Sequence, residues 1–144
     1  AGTVGLLEVK SNQFLERDWV RTADLAEIDA DGFIWIRGRA DDAINRGGFK
    51  VLPRDIAAAL QQHPAVADVA VAGMPDSRLG ELPVAAVEPR PGAVAPTEAE
   101  LMAFARERLA SYQVPARIRV VTELPRLPSM KVRKLDLLAL FDAP

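Results

Sequence analysis

Cysteine is absent from this sequence, which removes disulfides, thiol nucleophiles and cysteine-ligated zinc or iron–sulfur centres together. The absence fits a reducing compartment, and a cytoplasmic protein is the expectation. Histidine occurs once, at His63. Neither a histidine cluster for a metal nor a conventional histidine base network is available, so no metal site is expected within the chain. Charge of one sign is lacking too: 18 basic against 20 acidic side chains leave a formal net charge of −2. With no basic field and no polybasic block, neither nucleic acid nor an anionic membrane surface is an expected partner. No apolar run approaches the roughly 20 residues of a membrane span, and the chain does not open on a signal peptide. Ala1-Gly2-Thr3-Val4-Gly5 reads instead as a cut through a longer chain.

What is present is the mixture of a globular protein, 49% apolar and 26% charged over 144 residues. That suffices for one domain, or one domain plus a fragment of another. Leu6-Leu7-Glu8-Val9-Lys10 and Trp19-Val20-Arg21-Thr22 are strand candidates. Leu25-Ala26-Glu27-Ile28 leads into Asp29-Ala30-Asp31-Gly32, a tight-reversal signature, and Phe33-Ile34-Trp35-Ile36 returns as the partner. Trp19 and Trp35 are expected to pack within these hairpins. So few short strands bury too little to stand alone.

From Gly38 the character changes. Residues 42–51 suit a second hairpin turning at Gly47-Gly48. Pro53 suits the first turn of a helix with the apolar stripe Ile56, Ala59 and Leu60, ending near His63-Pro64. Residues 66–72 and 82–87 read as strands joined by a loop. Thr97 and Glu100 form a capping box for a helix burying Leu101, Phe104, Ala105 and Leu109. Residues 117–121 alternate as a half-exposed strand, a proline-punctuated loop covers 124–130, and a last helix lies around 135–141. The expected fold is α+β: a small domain with a hairpin and a three-stranded sheet packed by helices, preceded by a β-hairpin remnant. The boundaries drawn are 1–37 for the remnant, 38–43 for a hinge and 44–144 for the small domain.

Three segments hold residues that a bare scaffold does not require. In Trp19-Val20-Arg21-Thr22-Ala23-Asp24-Leu25, Asp24 sits where a carboxylate could accept two hydrogen bonds from a vicinal diol such as a ribose, although a plain surface aspartate fits as well. In the stretch from Gly38 to Pro53, a cation (Arg39), adjacent carboxylates (Asp41, Asp42) and the glycine pair suit a joint, or simply a solvated turn. In Leu124-Pro125-Arg126-Leu127-Pro128-Ser129-Met130-Lys131, a proline-stiffened loop presents a lysine as a compact point charge, or is an exposed basic loop.

Taken in order, these segments resemble the adenylate-forming superfamily: acyl-CoA synthetases, peptide-synthetase adenylation domains and luciferases. The family's C-terminal third carries Trp/Tyr-x-x-Thr-Gly-Asp, then Gly-Arg-x-Asp-Asp-x-Ile-x-x-x-Gly-x-x-Val-x-Pro, then Pro-x-x-x-x-Gly-Lys. His63-Pro64-Ala65-Val66, Pro75-Asp76, Gly80-Glu81 and Tyr112-Gln113-Val114-Pro115 also look like it, and the details are most similar to the acyl-CoA synthetases. The resemblance implies a two-step reaction. A carboxylic acid, in particular a fatty acid, attacks the α-phosphate of ATP to give an acyl-adenylate, and the thiol of coenzyme A then displaces AMP. It also implies a larger N-terminal domain as partner, holding the acyl pocket and the magnesium ligands, and a chain inactive without it.

By matching position, Asp24 would hold the ribose hydroxyls with Arg39 assisting, and Asp41 would be the hinge residue. Gly47 and Gly48 would border the pantetheine channel, and Lys50 would approach the nucleotide phosphate. Lys131 would bridge substrate carboxylate and α-phosphate, with Lys134 as its rival. Three departures from the family pattern stand out: Ala23 and Met130 where the family has glycine, and a short span between Val9 and Trp19. Competing readings are an acyl-AMP ligase, a peptide-synthetase adenylation domain, and a free-standing, non-catalytic α+β binding module.

Overall fold

The computed structural model describes residues 2–10 and 19–142. The short span between Val9 and Trp19 falls mostly outside them. Contacts divide the chain into two compact units, Ala1–Asp42 and Ala43–Pro144.

The first unit is an antiparallel sheet of β1 (Val4–Val9), β2 (Val20–Ile28) and β3 (Ile34–Arg39), with β2 in the middle. The two segments read separately at 19–22 and 25–28 are one strand. The reversal after β2 is organised by Asp29, whose Oδ1 accepts the backbone N–H groups of Asp31 (3.0 Å) and Phe33 (2.9 Å). Gly32 supplies the left-handed residue at φ 86°. Contrary to the sequence reading, Trp19 and Trp35 do not pack inside: they are 64% and 54% exposed. Trp35 instead donates its indole N–H to Asp29 Oδ2 at 2.7 Å. That bond is the leading cause holding the Asp29 carboxyl below its ordinary value, with the Phe33 amide next. Val4, Leu6, Val20, Ile28, Phe33, Ile34 and Ile36 are exposed as well, and Ala26 is the unit's one buried hydrophobic among the described residues.

The second unit is the α+β domain. It contains β4 (Ile44–Arg46), β5 (Phe49–Val51), α1 (Pro53–Gln61), β6 (Val66–Asp76), β7 (Gly80–Pro89), α2 (Glu98–Arg108), β8 (Arg117–Val120) and α3 (Lys134–Asp142). β7 is central: β6 runs antiparallel along one edge, β8 runs parallel along the other, and the β4–β5 hairpin joins through Arg46 opposite Gly80. Gly47 and Gly48 take φ of 56° and 92°, the double left-handed turn that a two-residue hairpin loop requires.

The apolar run from Pro83 to Val87 has no polar alternation because both its faces are covered. Ala85 and Val87 join Ile56, Leu60, Leu101 and Ala105 in one core cluster, while Val84 and Ala86 join Leu124, Leu137 and Phe141 in another. The loop expected over 74–81 is largely strand. β6 runs on to Asp76 and β7 begins at Gly80, so only the turn between remains, closed by Asp76 Oδ1 accepting from Arg78 and Leu79. Pro75 masks this in the sequence, yet β6 is an edge strand, where a missing N–H is tolerated.

α2 starts where the capping box requires. Thr97 accepts from the Glu100 N–H at 3.1 Å and Glu100 accepts from the Thr97 N–H at 2.7 Å. Leu101 and Ala105 are buried beneath it, while Phe104 and Leu109 are half-buried. Thr97→Ala is therefore expected to lower stability by about 1 kcal/mol, the usual worth of such a cap, read as a shift in the urea midpoint at unchanged slope. An unchanged midpoint would show the cap to be idle.

Candidate functional site

In the first unit, a bulge makes the site. Leu25 lies opposite Gly38 while Ala26 lies opposite Ile36, so Arg37 is an extra residue on β3. The slip sets Asp24 opposite Arg39 rather than Gly38. Arg39 Nη1 lies 3.7 Å from Asp24 Oδ1. The same guanidinium forks onto Asp41, with Nε to Oδ1 at 3.0 Å and Nη2 to Oδ2 at 3.2 Å. Asp41 lies in a 3-10 turn, Ala40–Asp42, at the end of the unit. The hydrogen bond from Arg39 is the chief cause holding the Asp41 carboxyl below its ordinary value, and Asp41 in turn raises the Arg39 guanidinium. Upstream, Thr22 donates to the Leu7 carbonyl at 2.9 Å and its oxygen accepts from the Asp24 N–H at 3.1 Å, fixing the backbone that carries Asp24. Ala23 is not among the residues with positive φ, so a side chain there imposes no left-handed strain.

In the second unit, Gly47, Gly48 and Lys50 share the β4–β5 hairpin, with Lys50 paired to Asn45. A Cβ on Gly48 would meet nothing within 4 Å, while one on Gly47 would lie 3.0 Å from Leu79 Cδ2. The hairpin is steadied by Phe49, stacked on Tyr112 at 4.7 Å between centroids, and by Arg46, which donates to the Tyr112 and Val114 carbonyls at 3.0 and 3.2 Å.

Lys131 stands on a second, smaller hairpin. Arg126 bridges Val132, the Leu127 N–H donates to the Lys131 carbonyl at 2.7 Å, and the Met130 N–H donates to the Leu127 carbonyl at 2.8 Å. The loop Pro128-Ser129-Met130 has the form of a proline-led turn followed by a left-handed residue. That residue is Met130 at φ 68°, the only non-glycine with positive φ among the described residues. The Lys131 side chain is exposed and forms no ion pair among the described residues. Lys134, by contrast, lies 3.6 Å from Glu81, whose other oxygen accepts the Asn45 N–H at 3.0 Å. The structure thus gathers Asp24, Arg39 and Asp41 in one unit, and places Lys131 and the Gly47-Gly48-Lys50 hairpin as separate elements of the other.

Sequence reasoning missed a further ionic group. Arg126 donates to Asp68 at 2.7 Å and to Glu88 at 2.8 Å. Burial is the largest single influence on the Asp68 carboxyl and pushes it up. The bonds from Arg126 and Val69, the Arg126 charge and Gln61 together outweigh it and hold the group below its ordinary value. Partners 58 and 38 residues away leave no local signal. Among the described residues, no group of three or more Asp, Glu or His is arranged to hold a metal ion.

The family described as the AMP-binding enzyme C-terminal domain matches residues 55–131. A 2-succinylbenzoate–CoA ligase of Geobacillus kaustophilus is 42% identical over 87% of this chain and 25% of its own length. A long-chain-fatty-acid–CoA ligase of Bacillus subtilis is 42% identical over 86% of this chain and 22% of its own. The structure of an amide bond synthetase from Marinactinospora thermotolerans superposes with a TM-score of 0.83 at 32% identity, covering 97% of this chain and 32% of that one. The match and the α+β topology define the class: the chain belongs to the AMP-binding enzyme C-terminal domain family. It spans about a quarter of the length of the curated relatives it matches.

The left-handed Met130 gives a direct test of the loop geometry. A non-glycine residue there costs roughly 1–2 kcal/mol, partly offset by the extra freedom glycine loses on folding. Met130→Gly is expected to stabilise the protein by about 1 kcal/mol in chemical denaturation; a loss of stability would contradict the assigned backbone.

Proposed function

We propose that this chain is the mobile C-terminal part of an ATP-dependent carboxylate–coenzyme A ligase, which activates a carboxylic acid as its acyl-adenylate and transfers the acyl group to coenzyme A. The observation that carries the reading is the state of Lys131: an exposed ammonium with no carboxylate partner among the described residues, on a turn closed by backbone hydrogen bonds. Two anions must meet in the first step, and a positioned ammonium lowers their repulsion most at the transition state. Lys131 takes that role by bridging the substrate carboxylate and the α-phosphate. Lys134, engaged with Glu81, serves the scaffold.

The other assignments rest on the resemblance, and the geometry above is compatible with them. Asp24 accepts the ribose hydroxyls, its carboxylate being half-exposed with only a long contact to Arg39. Arg39 joins it at ribose or phosphate on leaving Asp41. Lys50 approaches the nucleotide phosphate. The open side of Gly48 lets a pantetheine arm pass, and Gly47 borders the same channel. ATP needs magnesium, whose ligands belong to a larger N-terminal domain. The exposed apolar side chains of the first unit pack against that domain. Rotation at residues 38–43, with Asp41 as hinge residue, exchanges the Lys131 turn for the Gly47-Gly48 hairpin at one active centre, as lids do elsewhere.

The acid is a carboxylic acid, with a fatty acid as the narrower proposal on the strength of the long-chain relative. No helix among the described residues is long and apolar enough to cross a membrane, and the cytoplasm, where ATP and coenzyme A are supplied, is the proposed location. The likeness to an amide bond synthetase makes an amine the alternative acceptor, distinguished by supplying either nucleophile to the preformed acyl-adenylate.

In the full-length protein, Lys131→Ala is expected to cut acid-dependent pyrophosphate exchange about a hundredfold or more, the usual loss for one such electrostatic donor. Thioester formation from supplied acyl-adenylate should largely survive, and Lys134→Ala should leave exchange nearly intact. Equal exchange in wild type and Lys131→Ala would overturn the reading. Asp41→Pro, which fixes one backbone torsion at the joint, should slow the two half-reactions unequally; a uniform effect would remove the hinge.

A further inference from the structure

Arg126 lies at the root of the turn that carries Lys131. Its backbone bridges Val132, so the two residues face each other across the base of the Pro128-Ser129-Met130 loop. Its side chain turns inward and is only 18% exposed. There the two terminal nitrogens bind different carboxylates: Nη2 donates to Asp68 Oδ2 at 2.7 Å and Nη1 to Glu88 Oε2 at 2.8 Å. Those carboxylates are cross-strand partners on β6 and β7. Both are themselves held. Asp68 accepts from Val69 N–H at 2.8 Å and from Gln61 Nε2 at 3.2 Å, and Glu88 accepts from Leu124 N–H at 3.0 Å. A planar guanidinium gripping two fixed acceptors defines position and orientation together, which an ammonium cannot do.

We propose that Arg126 is a positioning residue for Lys131, an ionic clip that fixes the root of the lysine turn to the β6–β7 ladder so that the ammonium is presented in one place. The inference rests on the function assigned to Lys131. The clip adds an ionic anchor at the base of a turn whose tip is held only by its own backbone: Met130 is at φ 68° and 70% exposed, and residues 128–131 are all exposed. Its effect falls on the step in which Lys131 meets substrate, because electrostatic catalysis is sensitive to small displacements of the charge. The other functional hairpin has its own supports in Arg46, the Phe49–Tyr112 stack and Glu81, so it should not depend on Arg126.

The test uses the full-length enzyme and the variants Arg126→Met, Arg126→Lys, Glu88→Gln and Lys131→Ala. Arg126→Met should lower kcat for acid-dependent pyrophosphate exchange tenfold or more with KM for ATP and acid within about twofold, and leave thioester formation from supplied acyl-adenylate within about twofold. Arg126→Lys should recover part of the exchange rate, and Glu88→Gln should show the same split in milder form. Glu88→Gln decides alone if Arg126→Met does not fold. Equal loss in both half-reactions would mean general destabilisation and overturn the proposal, as would no loss in either. Exchange abolished by Lys131→Ala but kept by Arg126→Met overturns this inference only. Exchange untouched by Lys131→Ala overturns the functional reading and the inference with it.

Discussion

Among the described residues the exposed Lys131 ammonium has no carboxylate partner, and the proposed function depends on that free charge. Several carboxylates of the second unit have other partners: Glu81 has Asn45 and Lys134, Asp136 has Arg133, and Asp68 and Glu88 share Arg126. On the proposed function, the partner of the Lys131 charge comes from outside the domain: two converging anionic groups, whose mutual repulsion the charge would relieve.

The sheet serves this arrangement by being buried on both faces. β7 supplies side chains to both core clusters, so the ladder to which the lysine turn is fixed has little freedom to yield. On that rigid base the two hairpins proposed to be functional are small and local, and each is braced by its own set of contacts. The first unit is different in kind. Its strands pair well but bury almost nothing, and its chemistry depends on one extra residue, Arg37, whose insertion turns Arg39 toward Asp24 and the 3-10 turn at the end of the unit. The Arg39–Asp41 fork ties the proposed nucleotide-binding cation to the proposed joint, so on that reading occupancy of Arg39 by a ligand and freedom of Asp41 to move would be linked.

Local signals were legible in the sequence and non-local ones were not. Thr97 and Glu100 announced the start of α2, Pro53 that of α1, and Gly47-Gly48 the tight hairpin, because each carries its own cause within a few residues. The motifs singled out Asp24, Arg39, Asp41 and Lys131 but not their elements: Asp24 lies within β2 rather than past a strand end, and Arg39 ends β3 rather than sitting in a turn. The length of β6 and β7 was hidden by Pro75 and the charged residues around the turn, whose strand character comes from pairing with each other. Burial of the tryptophans was misjudged because aromatic side chains signal an apolar contact without saying whether the contacting surface lies in the same unit. The bulge at Arg37, the left-handed backbone of Met130 and the Arg126 clip all depend on geometry or on partners far away in sequence.

The absence of cysteine allows a direct test of the central claim, that a positive charge at position 131 drives the adenylation step. Lys131→Cys places the only thiol in this part of the protein, and alkylation with 2-bromoethylamine rebuilds an ammonium of nearly the same reach, with sulfur in place of one methylene. The account predicts that pyrophosphate exchange is lost in the cysteine variant and restored on aminoethylation, with thioester formation from supplied acyl-adenylate unaffected throughout. Exchange that persists in the unalkylated variant, or that fails to return once the charge is restored, would contradict it.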